Sequence, residues 1–379
     1  MGEMASVERV ATALQGEEPD RVPVGTLAIS RALWEIDERP KDAQNDPETM
    51  AEAKIAANEN FGDDMVIAGI DGCFVEAKAC GAQGFWSEHM EIVDATQRTF
   101  ESWEEIDDLE FPDLDEHIRT SSVLRESGIL MDRVGDQKAV APIVSGVFST
   151  AANLIGHEEL YRGMYEEPEK VHSFLEKLNE FHIDYHTAFE GNAHGIVVLD
   201  PVAATETTSP SQYEEFVLPY LQEDFEAIAD AGMIPINHPC GNTTGITQLV
   251  ADSIPDGAPG GIHANYGNVE KWPKDVDYLE ETLGEETIDH EEGDPYSIML
   301  KAVKKEVGDE VCILGNVDPV TVLLEGDPET VKETARRNIE YGADGGGFIL
   351  TPACDTNPNT PSENFNALVE AAKEYGQYE

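Results

Sequence analysis

The chain has 379 residues, with 24 Lys and Arg against 77 Asp and Glu, a formal net charge of −53. A surface this acidic repels nucleic acid and anionic membranes, which argues against both as partners. No apolar run reaches the roughly 18 residues that a bilayer span needs, and MGEMASVERV lacks the basic-then-apolar order of a secretory signal, so a cytoplasmic protein is expected. The acids are spread along the chain (DERPKDAQNDPE, SWEEIDDLEFPDLDE, EETLGEETIDHEEGD) between well-patterned apolar segments. That distribution suits a halophile's salty cytoplasm, where salt screens self-repulsion and carboxylates hold water. Five cysteines, Cys73, Cys80, Cys240, Cys312 and Cys354, are too sparse and too odd in number for a disulfide framework.

Apolar runs alternate with amphipathic stretches, the pattern of βα units. SVERVATALQG (6–16) predicts an opening helix, with Ser6 as N-cap and Gly16 as C-cap, so residues 1–20 form an N-terminal helical extension. VPVGT (22–26), DMVIAGI (64–70) and AVAPIVS (139–145) predict the first three strands. The stretch 157–191 predicts helix interrupted at Pro168, a residue suited to the first turn of a second helix. GIVVLD (195–200), MIPINH (233–238) and GGIHANY (260–266) predict three more strands. The acidic stretch 270–297, with Pro273, Gly284 and Gly293, reads as a loop excursion. VCILGNV (311–317) and GGFILTP (346–352) bring the strands to eight, and helices are predicted over 327–342 and 361–376. Eight strands with helices between them predict an α/β fold of the (β/α)8 TIM-barrel type, spanning 1–379 as one domain.

The fifth strand runs into HPCGNTT. On an extended backbone residues i and i+2 point the same way, so His238 and Cys240 would leave one strand end on one face, and Gly241 would permit a tight turn. Cys354 follows the eighth strand in ILTPACDTNP. In a parallel barrel the C-terminal strand ends converge on one mouth. A His/Cys/Cys set there offers three ligands suited to zinc and leaves one position open, as catalytic sites do. Either half alone fits a buried histidine beside an inert cysteine; the two strand ends together favour a metal.

Asp200 and Asn316 stand near other predicted strand ends and are candidate substrate-binding residues, although Asp200 fits a helix cap equally well. Glu76 is open between a packing and a site role. Cys73 and Cys80 are expected to be structural and Cys312 to lie in the core. His182 and His186 are four apart on a predicted helix but lack the H-E-x-x-H glutamate, so a solvated or packed face is expected.

Six segments in order, ERVATALQGEEPDRVPV (8–24), STAANLIGHEELYRGMYEEPEKVHSFLE (149–176), LDPVAATETTSPSQYEEFVLPYL (199–221), HPCGNTT (238–244), LGNVDPVTVLLEGDPETV (314–331) and GGFILTPACDTNPNTPSENFNALVEA (346–371), carry a family resemblance. The chain resembles the uroporphyrinogen decarboxylase-like superfamily and, within it, the methylcobamide:coenzyme M methyltransferases. The resemblance implies a (β/α)8 barrel with Zn2+ held by His238, Cys240 and Cys354. The superfamily's decarboxylases use no metal and bind substrate carboxylates through an Arg-rich stretch after the first strand. Here that region reads VGTLAISRALWEI, with Arg31 alone. Methyl transfer is therefore implied, from a corrinoid (cobalamin) on a small partner protein to a small-molecule acceptor, a thiol such as coenzyme M or a folate-like compound. The alternatives are a metal-free tetrapyrrole decarboxylase and a non-enzymatic zinc- or corrinoid-binding protein. Two departures stand out. Where many relatives have an acid near the sixth strand for the fourth zinc position, this chain reads GGIHANYG, leaving His263, Asn265 or water; His263 is also a substrate-binding candidate. Asp355 stands where a glycine is usual.

Overall fold

The computed structural model describes residues 3–87, 90–94, 96–263, 278–279, 281–283 and 295–378. Most of the predicted excursion at 270–297, together with Asn265, lies outside them. Strand β1 (Met65–Ala68) is followed by a short antiparallel hairpin, β2 (Gly84–Trp86) and β3 (Glu91–Val93). Then come β4 (Ala139–Ser145), β5 (Gly195–Leu199), β6 (Ile234–His238), β7 (Gly261–His263), β8 (Cys312–Val317) and β9 (Phe348–Pro352). Apart from the hairpin they form one curled parallel sheet in the order β1-β4-β5-β6-β7-β8-β9. This is the (β/α)8 architecture, with helices packed outside the strands.

The predicted first strand, 22–26, closes the barrel between β9 and β1, yet it is reduced to a single bridge, Val24 opposite Leu350. Towards β9 its backbone pairs normally: Gly25 N–H donates to Leu350 at 3.0 Å and Leu350 N–H to Pro23 at 2.9 Å. Towards β1, carboxylates take the place of strand carbonyls. Val24 N–H donates to Asp64 Oδ2 at 2.9 Å and Thr26 N–H to Asp63 Oδ2 at 3.0 Å. Asp64 also binds Arg9, Arg21 and the Ser6 hydroxyl, at 2.7–3.0 Å. Ser6 is therefore not a cap, as its position suggested. The helix Ser6–Leu14 is preceded by Ala5, and Ser6 ties that helix to the barrel seam.

Side chains of the strands alternate between two cores. Met65, Ile67, Ile143, Val197, Leu199, Ile236, Leu314 and the predicted core residue Cys312 fill the barrel, joined from below by Val10, Ala13 and Leu14 of the first helix. Val144, Ile196, Val198, Ile262, Ile313 and Leu350 face the surrounding helices. Pro168 opens the helix Pro168–Thr187 directly after His157–Glu166, as its missing N–H allows. Asp327 caps Pro328–Gly342 by accepting the Thr330 N–H at 2.8 Å. Among the described residues no helix is long and apolar enough to cross a membrane.

Candidate metal centre at the barrel mouth

His238 is the last residue of β6 and, two residues after inward-facing Ile236, points into the barrel. Cys240 does not continue that extended backbone: its φ is +54°, in the left-handed region. A turn, rather than strand alternation, therefore swings its thiol towards the histidine. Such a conformation costs a non-glycine residue about 1–2 kcal/mol, and neighbouring contacts hold it. The Asn242 N–H donates to both Glu206 carboxylate oxygens at 2.9 and 3.0 Å, and its carbonyl accepts from the Thr205 N–H at 2.7 Å. Gly241 serves close approach: a Cβ there would meet the Ala204 methyl at 2.5 Å.

Cys354 arrives from the other side, just past β9, where the Ala353 N–H donates to Val317 at 2.8 Å. His238, Cys240 and Cys354 each offer one ligand atom, and these lie within 4.8 Å of one another. All three border a cavity of about 240 Å³ whose walls include Ile143, Val197, Leu199, Ile236 and Leu314.

The hydrogen bonds fix which histidine nitrogen is free. Pro352 offers only a carbonyl to His263 Nε2, at 2.8 Å, so that nitrogen carries a proton and donates. Burial pushes His263 down to about 4, against the favourable Pro352 contact, so its ring is neutral and Nδ1 is an acceptor. His238 Nδ1–H donates to it. His238 is itself held well below its ordinary range, by burial and then by His263. The proton order along this chain leaves a lone pair on His238 Nε2, the form in which imidazole binds a metal. Burial and the neighbouring thiols of Cys354 and Cys73 push Cys240 far up, while the hydrogen bond from Cys240 holds Cys354 down. Of the pair, Cys354 deprotonates first. One buried imidazole nitrogen and two half-buried sulfurs form a donor set suited to zinc.

The other predicted residues are placed differently. His263 lines the cavity beside His238 but lies outside the three-ligand group. Asp200 is buried and accepts from the Ser149 N–H at 2.9 Å and from the Ser149 hydroxyl, in the first turn of the helix Val147–Ile155. It does not line the cavity. Asn316 is buried within β8, in register with Thr351. Arg31 turns away from the cavity, to Glu35 at 2.6 Å and Ser362 at 3.0 Å. Cys73, expected to be structural, lines the cavity with its thiol against Cys240; no local sequence signal pointed to it.

The uroporphyrinogen decarboxylase (URO-D) family pattern matches residues 5–375. The chain belongs to this family. Among curated relatives it is 26% identical to the methylcobamide:CoM methyltransferase MtbA of Methanosarcina mazei and 27% identical to MtaA of Methanosarcina barkeri, with 99% of both chains covered in each case. A uroporphyrinogen decarboxylase of Chlorobaculum parvum is 26% identical over 216 residues, 56% of this chain and 51% of that protein. The solved structure of a methyltransferase from Methanosarcina mazei superposes with a TM-score of 0.80 at 23% identity, covering 98% of this chain and 99% of that one. The barrel is thus shared along its whole length, and the full-length curated likeness falls on the methyltransferase branch.

Proposed function

We propose that this enzyme transfers a methyl group from a methylated corrinoid, carried by a separate protein, to a small thiol such as coenzyme M. The observation that carries the reading is the convergence of His238, Cys240 and Cys354 over one apolar cavity. A zinc ion held by these three residues would supply the field that strips the acceptor thiol of its proton, while two cysteine thiolates keep the site electron-rich enough for the bound sulfur to stay nucleophilic. The chain's own residues prepare the place. His263 and Pro352 set the His238 tautomer. The aliphatic walls lower the local polarity and so strengthen electrostatic interactions at the mouth.

The tetrapyrrole decarboxylase reading is disfavoured by Arg31, whose guanidinium is already engaged by Glu35 and Ser362. The acidic composition supports a salt-rich cytoplasm as the working environment. The decisive experiment combines metal analysis of the purified protein with a methylcobalamin-dependent assay offering coenzyme M, a simple alkyl thiol and a folate. Stoichiometric zinc with thiol methylation is the expected result. A zinc-loaded protein that methylates none of them would overturn the proposal.

A further inference from the structure

A second group of ligand-type side chains is buried behind the barrel wall. Glu76 comes from the helix Val75–Ala79, and His182 and His186 from Pro168–Thr187. Of the solvated or packed histidine face expected from the spacing, the structure shows a packed one. The two imidazoles are 1% and 0% exposed, and the glutamate, at 0%, faces them. Their ligand atoms lie within 4.8 Å of one another.

Hydrogen bonds account for only part of this cluster. Asp224 holds His186 Nδ1 at 2.9 and 3.0 Å, and Glu76 Oε1 accepts the Ser145 N–H at 2.9 Å. Glu76 Oε2 has no hydrogen-bond partner and no access to solvent, and the buried His182 ring finds only the backbone of Ser145. Leaving a buried carboxylate oxygen unpaired is costly, so the fold has a reason to bring these side chains together. His186 Nε2 stands 3.4 Å from Glu76 Oε1. That is long for a charge-assisted hydrogen bond of about 2.7–2.9 Å. It matches the edge, about 3.4 Å, of a tetrahedron with metal–ligand bonds near 2.1 Å.

We propose that Glu76, His182 and His186 form a second metal site, for a divalent first-row transition ion such as Zn2+. Asp224 is the positioning residue, fixing the His186 ring so that Nε2 faces the ion, as carboxylates do behind metal-bound imidazoles. The site is enclosed, so its role is structural. Cys73, three residues before Glu76, faces the cavity, and its carbonyl accepts from Ser145 and Asn153 at 3.4 Å. The ion would therefore anchor the 73–76 segment that borders the mouth. This inference uses none of the mouth ligands and stands independently of the proposed reaction.

The test is metal counting on the full-length protein, stripped by chelator and titrated with Zn2+, then with Co2+ as a spectroscopic probe. Wild type should take up two equivalents. The double variant Cys240→Ser, Cys354→Ser keeps every ligand of the second site and should retain one, with Co2+ absorption lacking thiolate charge-transfer bands. Adding His182→Asn should abolish that uptake. A double variant that binds no ion overturns the proposal. So does a wild type that takes up a single Co2+ showing thiolate charge transfer, a result that needs no variant to fold. A wild type with one ion that the double variant keeps would support the second site and instead remove zinc from the mouth.

Discussion

His263 Nε2–H donates to the carbonyl of Pro352 at 2.8 Å, and through that bond the end of β9 dictates the protonation of a histidine on β6. Removing the His263 ring, which accepts from His238, should weaken zinc binding without removing a proposed ligand. His263→Ala should weaken zinc binding by about 10–100-fold, the usual effect of losing an orienting partner. His263→Asn, which can still accept from His238, should recover part of it. Competition against a chromophoric chelator measures both. Equal zinc affinity in wild type and His263→Ala would mean that His238 is oriented by something else.

Loss of a sulfur should be more severe. Cys240→Ala and Cys354→Ala each remove one of the three proposed ligands and should abolish zinc binding and methyl transfer from methylcobalamin together. In the zinc-loaded wild type, thiol acceptor binding should release about one proton, measurable in weakly buffered solution. A Cys354→Ala protein with full zinc and normal transfer would show that this residue has no part in the site.

Asp200 makes a pH prediction. Burial pushes its carboxyl up to about 7, only partly offset by the Ser149 hydrogen bonds. The unfolded chain loses the same proton near 3.9. Between these values the native state binds more protons than the unfolded one, so stability falls as pH rises from about 4 to about 7 and then levels off. Asp200→Asn keeps an acceptor for Ser149 and removes that ionisation. Its unfolding free energy should vary less over this window and exceed that of wild type above pH 7 by about 1–3 kcal/mol. A difference between the two proteins that is the same at pH 5 and pH 8 would show that Asp200 is already ionised in the fold.

The charge of −53 predicts salt dependence. Raising KCl from about 0.1 M to about 2 M shortens the screening length from about 10 Å to below about 3 Å. The thermal midpoint should rise across that range; a flat response would count against adaptation to a salty cytoplasm.

The strands were legible where apolar runs are long enough to show their boundaries, as in AVAPIVS and GIVVLD, which became β4 and β5. VPVGT is also apolar, but on its β1 side the Val24 and Thr26 N–H groups go to the Asp64 and Asp63 carboxylates, side chains about forty positions away that periodicity cannot see. The β2–β3 hairpin escaped because three residues per strand carry no usable alternation. His238, Cys240 and Cys354 were legible as a set, but the reason given for the first two was wrong. Cys240 turns at φ +54° instead of extending. The spacing of His182 and His186 was visible; Glu76, more than a hundred residues earlier, reaches them only through the fold.

Cys73, Cys240 and Cys354 also make the mouth vulnerable to oxygen. Three sulfurs share one cavity, and between Cys240 and Cys354 the thiolate forms more readily at Cys354. Oxidation of that thiolate to a sulfenic acid would place an electrophile beside the Cys240 thiol, and condensation of the two yields a disulfide with loss of water. Protein stripped of its ion and left in air should therefore fade in activity and recover with dithiothreitol, whereas a tightly held ion would shield its own ligands from that fate.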